Sequence, residues 1–223
     1  IKRTYPELNF FNAPSNNNKK ETNADVIERL LFIYAKKHPE VYYVQGFNVI
    51  IANIFYVFSQ DQNPYFKLCA EEDTFFCFEL LINIFKDVYI PEKDKTETGI
   101  KTIVDYIKYL IYLIDGELFF QLRELKIDNY VFVFTWYTLF FSQDFPIDIT
   151  LRIWDNVLSN ENKKEYLIFL CVSAILIKKD KILSKDTGIA LDSLQNFQNK
   201  DEDLILDKVL EVKNIIVEKP DEE

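Results

Sequence analysis

Apolar residues recur along most of the chain at intervals of three and four, which is the spacing of one face of an α-helix. The clearest stripe consists of seven aliphatic residues: Ile100, Ile103, Val104, Ile107, Leu110, Ile111 and Ile114. Shorter stripes with the same spacing predict four more helices, around residues 27–34, 75–85, 118–125 and 205–216. The first of these should end near Lys37, because the residue before Pro39 avoids helical backbone angles.

The spacing of apolar residues does not by itself assign the secondary structure of two further apolar segments. Residues 131–141 are rich in β-branched and aromatic side chains, which favour a strand, but no second alternating run or hairpin turn offers it a partner. We therefore predict a helix there. Residues 166–177 form the longest apolar run, which is shorter than the ~20 residues that span a bilayer. This run predicts a buried helix, and no transmembrane segment is expected.

Together these segments predict an all-α fold of roughly ten or more helices in two packed α-helical subdomains. We place the boundary between residues 114 and 115, where the clearest stripe ends and a glycine follows. The predicted subdomains are therefore residues 1–114 and residues 115–223.

The composition of the chain limits the kinds of site and partner that it can have. The chain has one histidine and four glycines, so a histidine-rich metal site is excluded and a catalytic triad would need His38. Its net charge of -10 argues against nucleic acid and anionic membranes as partners, which leaves another protein. Three cysteines without a Cys-x-x-Cys pair predict buried free thiols in a reducing compartment. The chain begins at Ile1 and lacks methionine, so we expect a piece of a longer protein.

The strongest functional signal is VYYVQGFN, residues 41–48, which opens a long apolar helix. It places Gln45 and Gly46 at a helix N-terminus. Free backbone N–H groups and the helix dipole favour an anion there, and a glutamine side chain can hold a water as donor and acceptor. These properties fit phosphate chemistry on a partner. Alternatively, Gln45 and Asn48 cap the helix and Gly46 eases the turn, and the residues alone leave both interpretations open.

A second polar motif is LRIWDNVL, residues 151–158. Arg152 and Asp155 are three residues apart on a helix that Pro146 opens, so we expect them to pair on one face while Trp154 packs inside. This pair is predicted to be a structural clasp.

Other polar residues have simpler explanations. Two sets of carboxylates are close enough in sequence to suggest an acid and base pair: Glu71 with Glu72 and Asp73, and Asp144 with Asp148. Helix starts and solvated faces use such carboxylates far more often than catalysis does. We likewise expect His38 to be exposed and hydrogen-bonded to water.

Three motifs resemble those of the TBC-domain GTPase-activating proteins, which act on Rab GTPases. VYYVQGFN resembles their Tyr-x-Gln-Gly-Met-Asn motif, with Phe47 in place of the methionine. IKRT, residues 1–4, resembles the end of their Ile-x-x-Asp-x-x-Arg-Thr motif, and LRIWDNVL resembles their third signature. The stretches LLFIYAKKHPEVYYVQG and EEDTFFCFELL are similar to the member-thirteen-like subgroup. The motifs occur in the expected order and span nearly the whole chain.

The resemblance implies a two-lobed helical domain that supplies catalytic residues in trans to a bound Rab-type GTPase. It maps an arginine finger onto Arg3 and a glutamine finger onto Gln45. The supporting motif residues are Tyr43, Gly46, Asn48, Arg152 and Asp155. A guanidinium can neutralise charge on the transferring phosphoryl group, and a glutamine can orient the attacking water. The partner carries GTP and Mg²⁺, so we expect no cofactor or metal in this chain and no independent turnover of a substrate.

The resemblance also implies a cytoplasmic protein of vesicle trafficking, with peripheral recruitment to endomembranes through the partner left open. One alternative is a catalytically inactive helical module that binds a GTPase or scaffold, since the aspartate of the first motif would precede Ile1. A hydrolase that uses a carboxylate pair is disfavoured, because the sequence offers no convincing site for it.

Overall fold

The computed structural model describes residues 5, 8–16, 19–41, 43–127, 130–198 and 200–218. Within these ranges the chain forms thirteen α-helices and two short 3-10 helices and contains no strand. One isolated antiparallel bridge pairs Pro14 with Thr22. The prediction of an all-α fold is confirmed.

The chain divides into two compact units, Ile1–Pro91 and Glu92–Glu223. The helices of the first unit are α1 (Asn9–Asn12), α2 (Asn23–Lys37), α3 (Phe47–Ser59), α4 (Pro64–Leu68) and α5 (Ala70–Ile84), and the 3-10 helix Lys86–Tyr89 follows them. The second unit follows the 3-10 helix Pro91–Lys93 and contains α6 (Ile100–Ile114), α7 (Gly116–Glu124), α8 (Val131–Leu139), α9 (Ile147–Ser159), α10 (Lys163–Leu176), α11 (Lys179–Ile182), α12 (Thr187–Gln195) and α13 (Asp201–Glu218).

Helix α3 is the buried centre of the first unit and packs against α2, α4 and α5. Helix α2 begins at a capping box, in which the Thr22 and Asp25 side chains each bond the other's backbone N–H, and it ends at Lys37 as predicted. The helix predicted around residues 75–85 is α5, and the separate short helix α4 precedes it. The chain breaks at Cys69, whose ψ of 5° ends α4 and precedes α5.

Helix α10 is the buried centre of the second unit, where it contacts α6, α8, α9 and α13. The segment that was ambiguous in sequence is the helix α8, as predicted, and it runs between left-handed residues at Tyr130 and Phe140. Helix α6 packs against α7, α8 and α10, so its contacts place it in the second unit. The compact units therefore divide before α6, whereas the sequence placed the boundary after it, between residues 114 and 115.

The three cysteines are free thiols that differ in exposure. Cys171 is fully buried, Cys69 is partly buried and Cys77 is exposed on the outer face of α5. The prediction of buried thiols is therefore right for Cys171 and wrong for Cys77, since neighbouring residues of a helix face different directions. None of the described helices combines the length and apolar character that a membrane span requires.

Candidate functional site

The polar motif of the first unit lies in the glutamine loop, which we define as residues 38–46 between α2 and α3; residue 42 lies outside the described residues. The loop starts with a backbone hydrogen bond from the N–H of Val41 to the carbonyl of His38, at 3.2 Å. The Val41 side chain is only 5% exposed. The loop is therefore anchored in the core before it reaches its polar residues.

Phe47, the first residue of α3, forms the base of the loop. It is completely buried and contacts four aromatic rings edge to face, the most distant being that of Tyr43, at 6.5 Å between centroids. Its centroid lies 5.9 Å from that of Tyr34, 5.4 Å from that of Phe78 and 5.0 Å from that of Tyr89. Such pairs contribute beyond the area they bury. The phenylalanine at this position therefore fixes where α3 begins.

Two ion pairs and a histidine–carboxylate hydrogen bond hold the start of the loop to the rest of the unit. His38 Nε2 lies 2.5 Å from Glu79 Oε1, and Lys37 Nζ lies 2.7 Å from the same oxygen. Lys86 Nζ lies 2.6 Å from Glu40 Oε1, and this hydrogen bond lowers the pKa of Glu40 to about 2. The expectation that His38 is exposed and bonded to water is wrong. Its partner is 41 residues away in sequence, which no local pattern reveals.

Gly46 turns the chain into α3 with φ of 106° and ψ of -18°, in the left-handed region that glycine adopts without strain. Gln45, directly before it, is exposed, and its side chain has no hydrogen-bond partner among the described residues. Gln45 therefore does not cap α3. The sequence left open whether Gln45 caps the helix or serves a partner, and the structure removes the cap. Gly46 makes the expected turn, and the amide of Gln45 is available to a partner.

Tyr43 and Asn48 brace the same loop. The Tyr43 hydroxyl donates a hydrogen bond to Asn48 Oδ1 at 3.1 Å, which ties the loop to the first turn of α3. Partial burial raises the pKa of Tyr43, and a hydrogen bond with the Gly46 backbone opposes that rise. Both supporting residues thus hold the backbone around Gln45 in place.

Arg3, the predicted arginine finger, lies outside the described residues. The segment around Gln45 supplies no substitute, since residues 41–59 contain no lysine or arginine. Any cation beside Gln45 must come from another part of the chain or from a partner.

The supporting residues of the second unit form a different contact from the predicted one. Arg152 Nε lies 3.0 Å from Glu202 Oε1, and its Nη2 lies 2.9 Å from Asp203 Oδ1. The predicted pair with Asp155 is therefore wrong, and Asp155 is exposed. Arg152 still acts as a clasp, but it joins α9 to α13. Trp154 packs inside as expected and donates a hydrogen bond from Nε1 to the carbonyl of Phe140 at 3.0 Å.

The carboxylates considered as acid and base pairs occupy unlike positions. Glu71 forms an ion pair with Arg29, whose Nε lies 2.7 Å from Glu71 Oε1. This pair gives the Glu71 carboxylate a structural role. Asp144 is not on a solvated face, since burial raises its pKa to about 7, while Asp148 is exposed. Within the ranges that the structure covers, no cluster of three or more His, Cys, Asp or Glu is arranged to hold a metal ion.

Comparison with known proteins decides the family. The model of the Rab-GTPase-TBC domain family matches residues 1–183 of the chain. The chain belongs to this family. The glutamine loop, α3 and residues 151–158 all fall within the matched residues, so both polar motifs are parts of a TBC domain.

Several curated relatives share this domain. TBC1 domain family member 13 of Homo sapiens is 34% identical over 194 residues, covering 87% of this chain and 48% of that protein. TBC1 domain family member 22B of Homo sapiens is 26% identical over 204 residues, covering 83% of this chain and 37% of that protein. The chain thus spans about half the length, or less, of these relatives. The resemblance to the member-thirteen-like subgroup is confirmed.

A solved structure shows the same TBC fold. The crystal structure of the Ypt/Rab-GAP domain of Gyp1p matches with a TM-score of 0.79 and 21% sequence identity, covering 96% of this chain and 71% of that chain. This likeness confirms the TBC-domain-like fold that the motifs implied.

Proposed function

We propose that this chain is a GTPase-activating domain that binds a Rab-type GTPase and accelerates GTP hydrolysis in trans. Gln45 acts as the glutamine finger and Arg3 as the arginine finger. The observation that carries the proposal is Gln45 itself, an exposed amide without a partner among the described residues, held on a loop whose neighbours are buried or bonded. Membership of the Rab-GTPase-TBC family supports the choice of partner.

The amide of Gln45 suits the orientation of a water. Its carbonyl oxygen accepts and its NH₂ donates, so it can hold the attacking water and contact the phosphoryl group at the same time. The anchored base at Phe47 and the Tyr43–Asn48 bond limit movement of the loop. A group that is positioned before the partner binds loses less entropy on the way to the transition state.

The guanidinium of Arg3 supplies the charge that the loop lacks. Residues 41–59 contain no lysine or arginine, so the developing negative charge on the phosphoryl oxygens needs a cation from elsewhere. An arginine finger is worth about 10³ to 10⁵ in rate in comparable GTPases. Lysine lacks the planar fork of donors and is a poor replacement.

The partner contributes the remaining chemistry. GTP and Mg²⁺ belong to the bound GTPase, and this chain contributes side chains without a cofactor of its own. The proposal places the protein in the cytoplasm, where vesicle trafficking uses such activators, and brings it to endomembranes through the partner.

The test is single-turnover GTP hydrolysis over a panel of Rab GTPases in the presence of Mg²⁺. We expect Arg3→Lys to lower the stimulated rate by about 10³-fold and Gln45→Ala by about 10²-fold. Two substitutions of the same type serve as controls: Gln60→Ala at the other end of α3, and Arg123→Lys on α7. Both should stimulate as well as the parent.

If Arg3→Lys and Gln45→Ala stimulate as well as the parent, the two-finger assignment is wrong. If the parent binds a GTP-loaded Rab but does not accelerate hydrolysis, the chain is a binding module and the proposal is rejected.

A further inference from the structure

The glutamine loop starts at the only histidine of the chain, and both nitrogens of its ring face carboxylate oxygens. His38 Nε2 lies 2.5 Å from Glu79 Oε1 on α5, and Nδ1 lies 3.5 Å from Glu40 Oε1 in the same loop. A neutral imidazole donates from one nitrogen and accepts at the other, whereas an imidazolium donates from both. Ionised carboxylates only accept hydrogen bonds, so this arrangement fits a ring that has a proton on each nitrogen.

The face of the same ring lies on Tyr34 of α2. The two ring centroids are 4.6 Å apart and the planes are tilted by 27°. An aromatic face attracts a positive charge, so this contact also suits the charged ring. The Tyr34 ring in turn contacts that of Phe47 at 5.9 Å, and Phe47 directly follows the turn at Gly46. Two ring contacts therefore connect His38 to the backbone that presents Gln45.

The bond between His38 and Glu79 reaches the same base from α5. Glu79 follows Phe78, whose ring centroid lies 5.4 Å from that of Phe47. This bond therefore holds the end of α2 against the helix that supports the start of α3. The backbone N–H of Val41 donates to the carbonyl of His38, so the same bond also fixes the first turn of the loop.

The titratable groups around the ring come from four elements: Tyr34 and Lys37 of α2, Glu40 of the loop, Glu79 of α5 and Lys86 of the 3-10 helix. The hydrogen bond from Lys86 lowers the pKa of Glu40 to about 2. Hydrogen bonds with Lys37 and then with His38 lower the pKa of Glu79. Both carboxylates thus stay ionised near neutral pH, and burial raises the pKa of Tyr34. Imidazole is the side-chain type that titrates between about pH 5 and 8.

We propose that His38 is a positioning residue for the glutamine loop and acts as an imidazolium bound between Glu40 and Glu79. In this state the loop presents Gln45 in the orientation that the attacking water requires. The His38 side chain is 23% exposed, so the ring can release its second proton to water. The nitrogen lone pair that remains then faces a carboxylate, and the loop loosens. The consequence for catalysis rests on the proposed function, whereas the hold on the loop does not.

NMR spectroscopy of the whole chain, without a partner, tests the hold on the loop. Because the chain has one histidine, the carbon-bound protons of that ring report its protonation directly. We expect ¹⁵N relaxation of the Gln45 backbone amide to show more motion as the ring loses its proton, with the same midpoint. A Gln45 amide that is unchanged across the titration of His38 overturns the proposal.

Single-turnover GTP hydrolysis with a Rab GTPase, between about pH 5.5 and 8.5, measures the consequence for catalysis. The ratio of the stimulated to the intrinsic rate at each pH removes the partner's own dependence on pH. This ratio should fall by about tenfold as the His38 ring loses its proton, because a displaced Gln45 orients the water less well. The midpoint should equal the one that NMR gives.

Two variants separate the charge of the ring from its bulk. His38→Arg keeps a planar charged group at every pH, which can lie on Tyr34 and donate to both carboxylates. It should stimulate like the parent at acidic pH and show no dependence on pH. His38→Gln retains an amide donor without the charge. It should stimulate about tenfold less than the parent at acidic pH, also without dependence on pH.

Arg29→Gln is the matched control. Arg29 Nε lies 2.7 Å from Glu71 Oε1, so this pair also joins α2 to α5, but it lies away from the loop. The variant should keep the pH profile of the parent. A profile lost in Arg29→Gln would mean that any loosening of α2 against α5 has the same effect, which overturns the specific role of His38.

The proposed role of His38 and the proposed function can fail separately. Stimulation that does not follow the protonation of His38, or a His38→Gln variant with the profile of the parent, overturns the role of His38 and leaves the two fingers in place. A parent that fails to stimulate at any pH rejects the activator. The relaxation of the Gln45 amide then decides by itself whether His38 positions the loop.

Discussion

The polar motif residues of the two compact units face opposite environments. In the first unit, Gln45 is exposed and lacks a partner among the described residues, while Val41 in the same loop and Phe47 directly after it are buried. In the second unit, Arg152 is paired with two carboxylates and Asp144 is bonded to Trp136. A polar side chain held out from a buried base is available to another molecule. One that joins two helices contributes to the fold.

Because of this difference, substitutions that change activity should be distinct from those that change stability. Substitutions at Gln45 should change what the chain does to a partner and leave the folded state unchanged. Substitutions at Phe47, Asp144 and Arg152 should change the free energy of unfolding, because each of these side chains packs against or bonds to another helix or to the core.

The largest effect on stability is expected at the base of the loop. Phe47→Ala removes a fully buried ring from contact with four aromatic partners and should cost about 3 to 5 kcal/mol. Urea denaturation followed by circular dichroism measures the loss. Gln45→Ala should change stability by no more than about 0.5 kcal/mol. Equal losses for the two variants would contradict the comparison.

The next largest effect is a dependence of stability on pH that arises from Asp144. Its pKa is about 7 in the folded state, against an ordinary value of 3.8. Between these values the folded state keeps a proton that the unfolded state has released, so stability falls as pH rises from about 4 through 7. The parent should lose roughly 2 to 4 kcal/mol relative to Asp144→Asn across this range. Urea denaturation at a series of pH values measures the difference.

The control for that series is Asp148→Asn, whose stability should follow the parent at every pH because Asp148 is exposed. If the parent and Asp144→Asn keep a constant difference from pH 4 to pH 8, the carboxyl of Asp144 is not held protonated by burial.

The smallest effect is expected at the clasp between α9 and α13. Arg152→Ala leaves Glu202, which is only 4% exposed, without its cation, and should cost about 1 to 2 kcal/mol. Asp155→Asn, the substitution at the partner expected from sequence, should cost less than about 0.5 kcal/mol. A double-mutant cycle of Arg152→Ala with Glu202→Gln measures the coupling between them. Coupling of Arg152 to Asp155 in place of Glu202 would restore the predicted pair.

Local periodicity was enough to predict most helices of this chain. The stripes around Ile100 and Leu118 mark α6 and α7, and Pro39 stops α2 at Lys37. These features depend on residues within one or two turns of each other, so the sequence contains all that determines them. Helix α4 and the break after it at Cys69 were not predicted, because no proline or glycine marks that break.

Of the candidate site, the sequence predicted the positions of Gln45 and Gly46 at the start of α3, and the motifs predicted the family. It did not predict which residues hold the loop. Glu79 binds His38 from 41 residues away, and Glu202 binds Arg152 from 50 residues away. Such partners are chosen by helix packing, which brings together faces whose sequences show no relation to each other.

The sequence by itself determined that this protein is helical, where its longest helices lie, and that a Gln-Gly pair opens α3, because each of these follows from local backbone preference and spacing. Only the tertiary structure decided which polar side chains are exposed, which are paired and which are buried. Burial is a property of packed helices, and it leaves Gln45 exposed, pairs Arg152 with Glu202 and holds the carboxyl of Asp144 out of water.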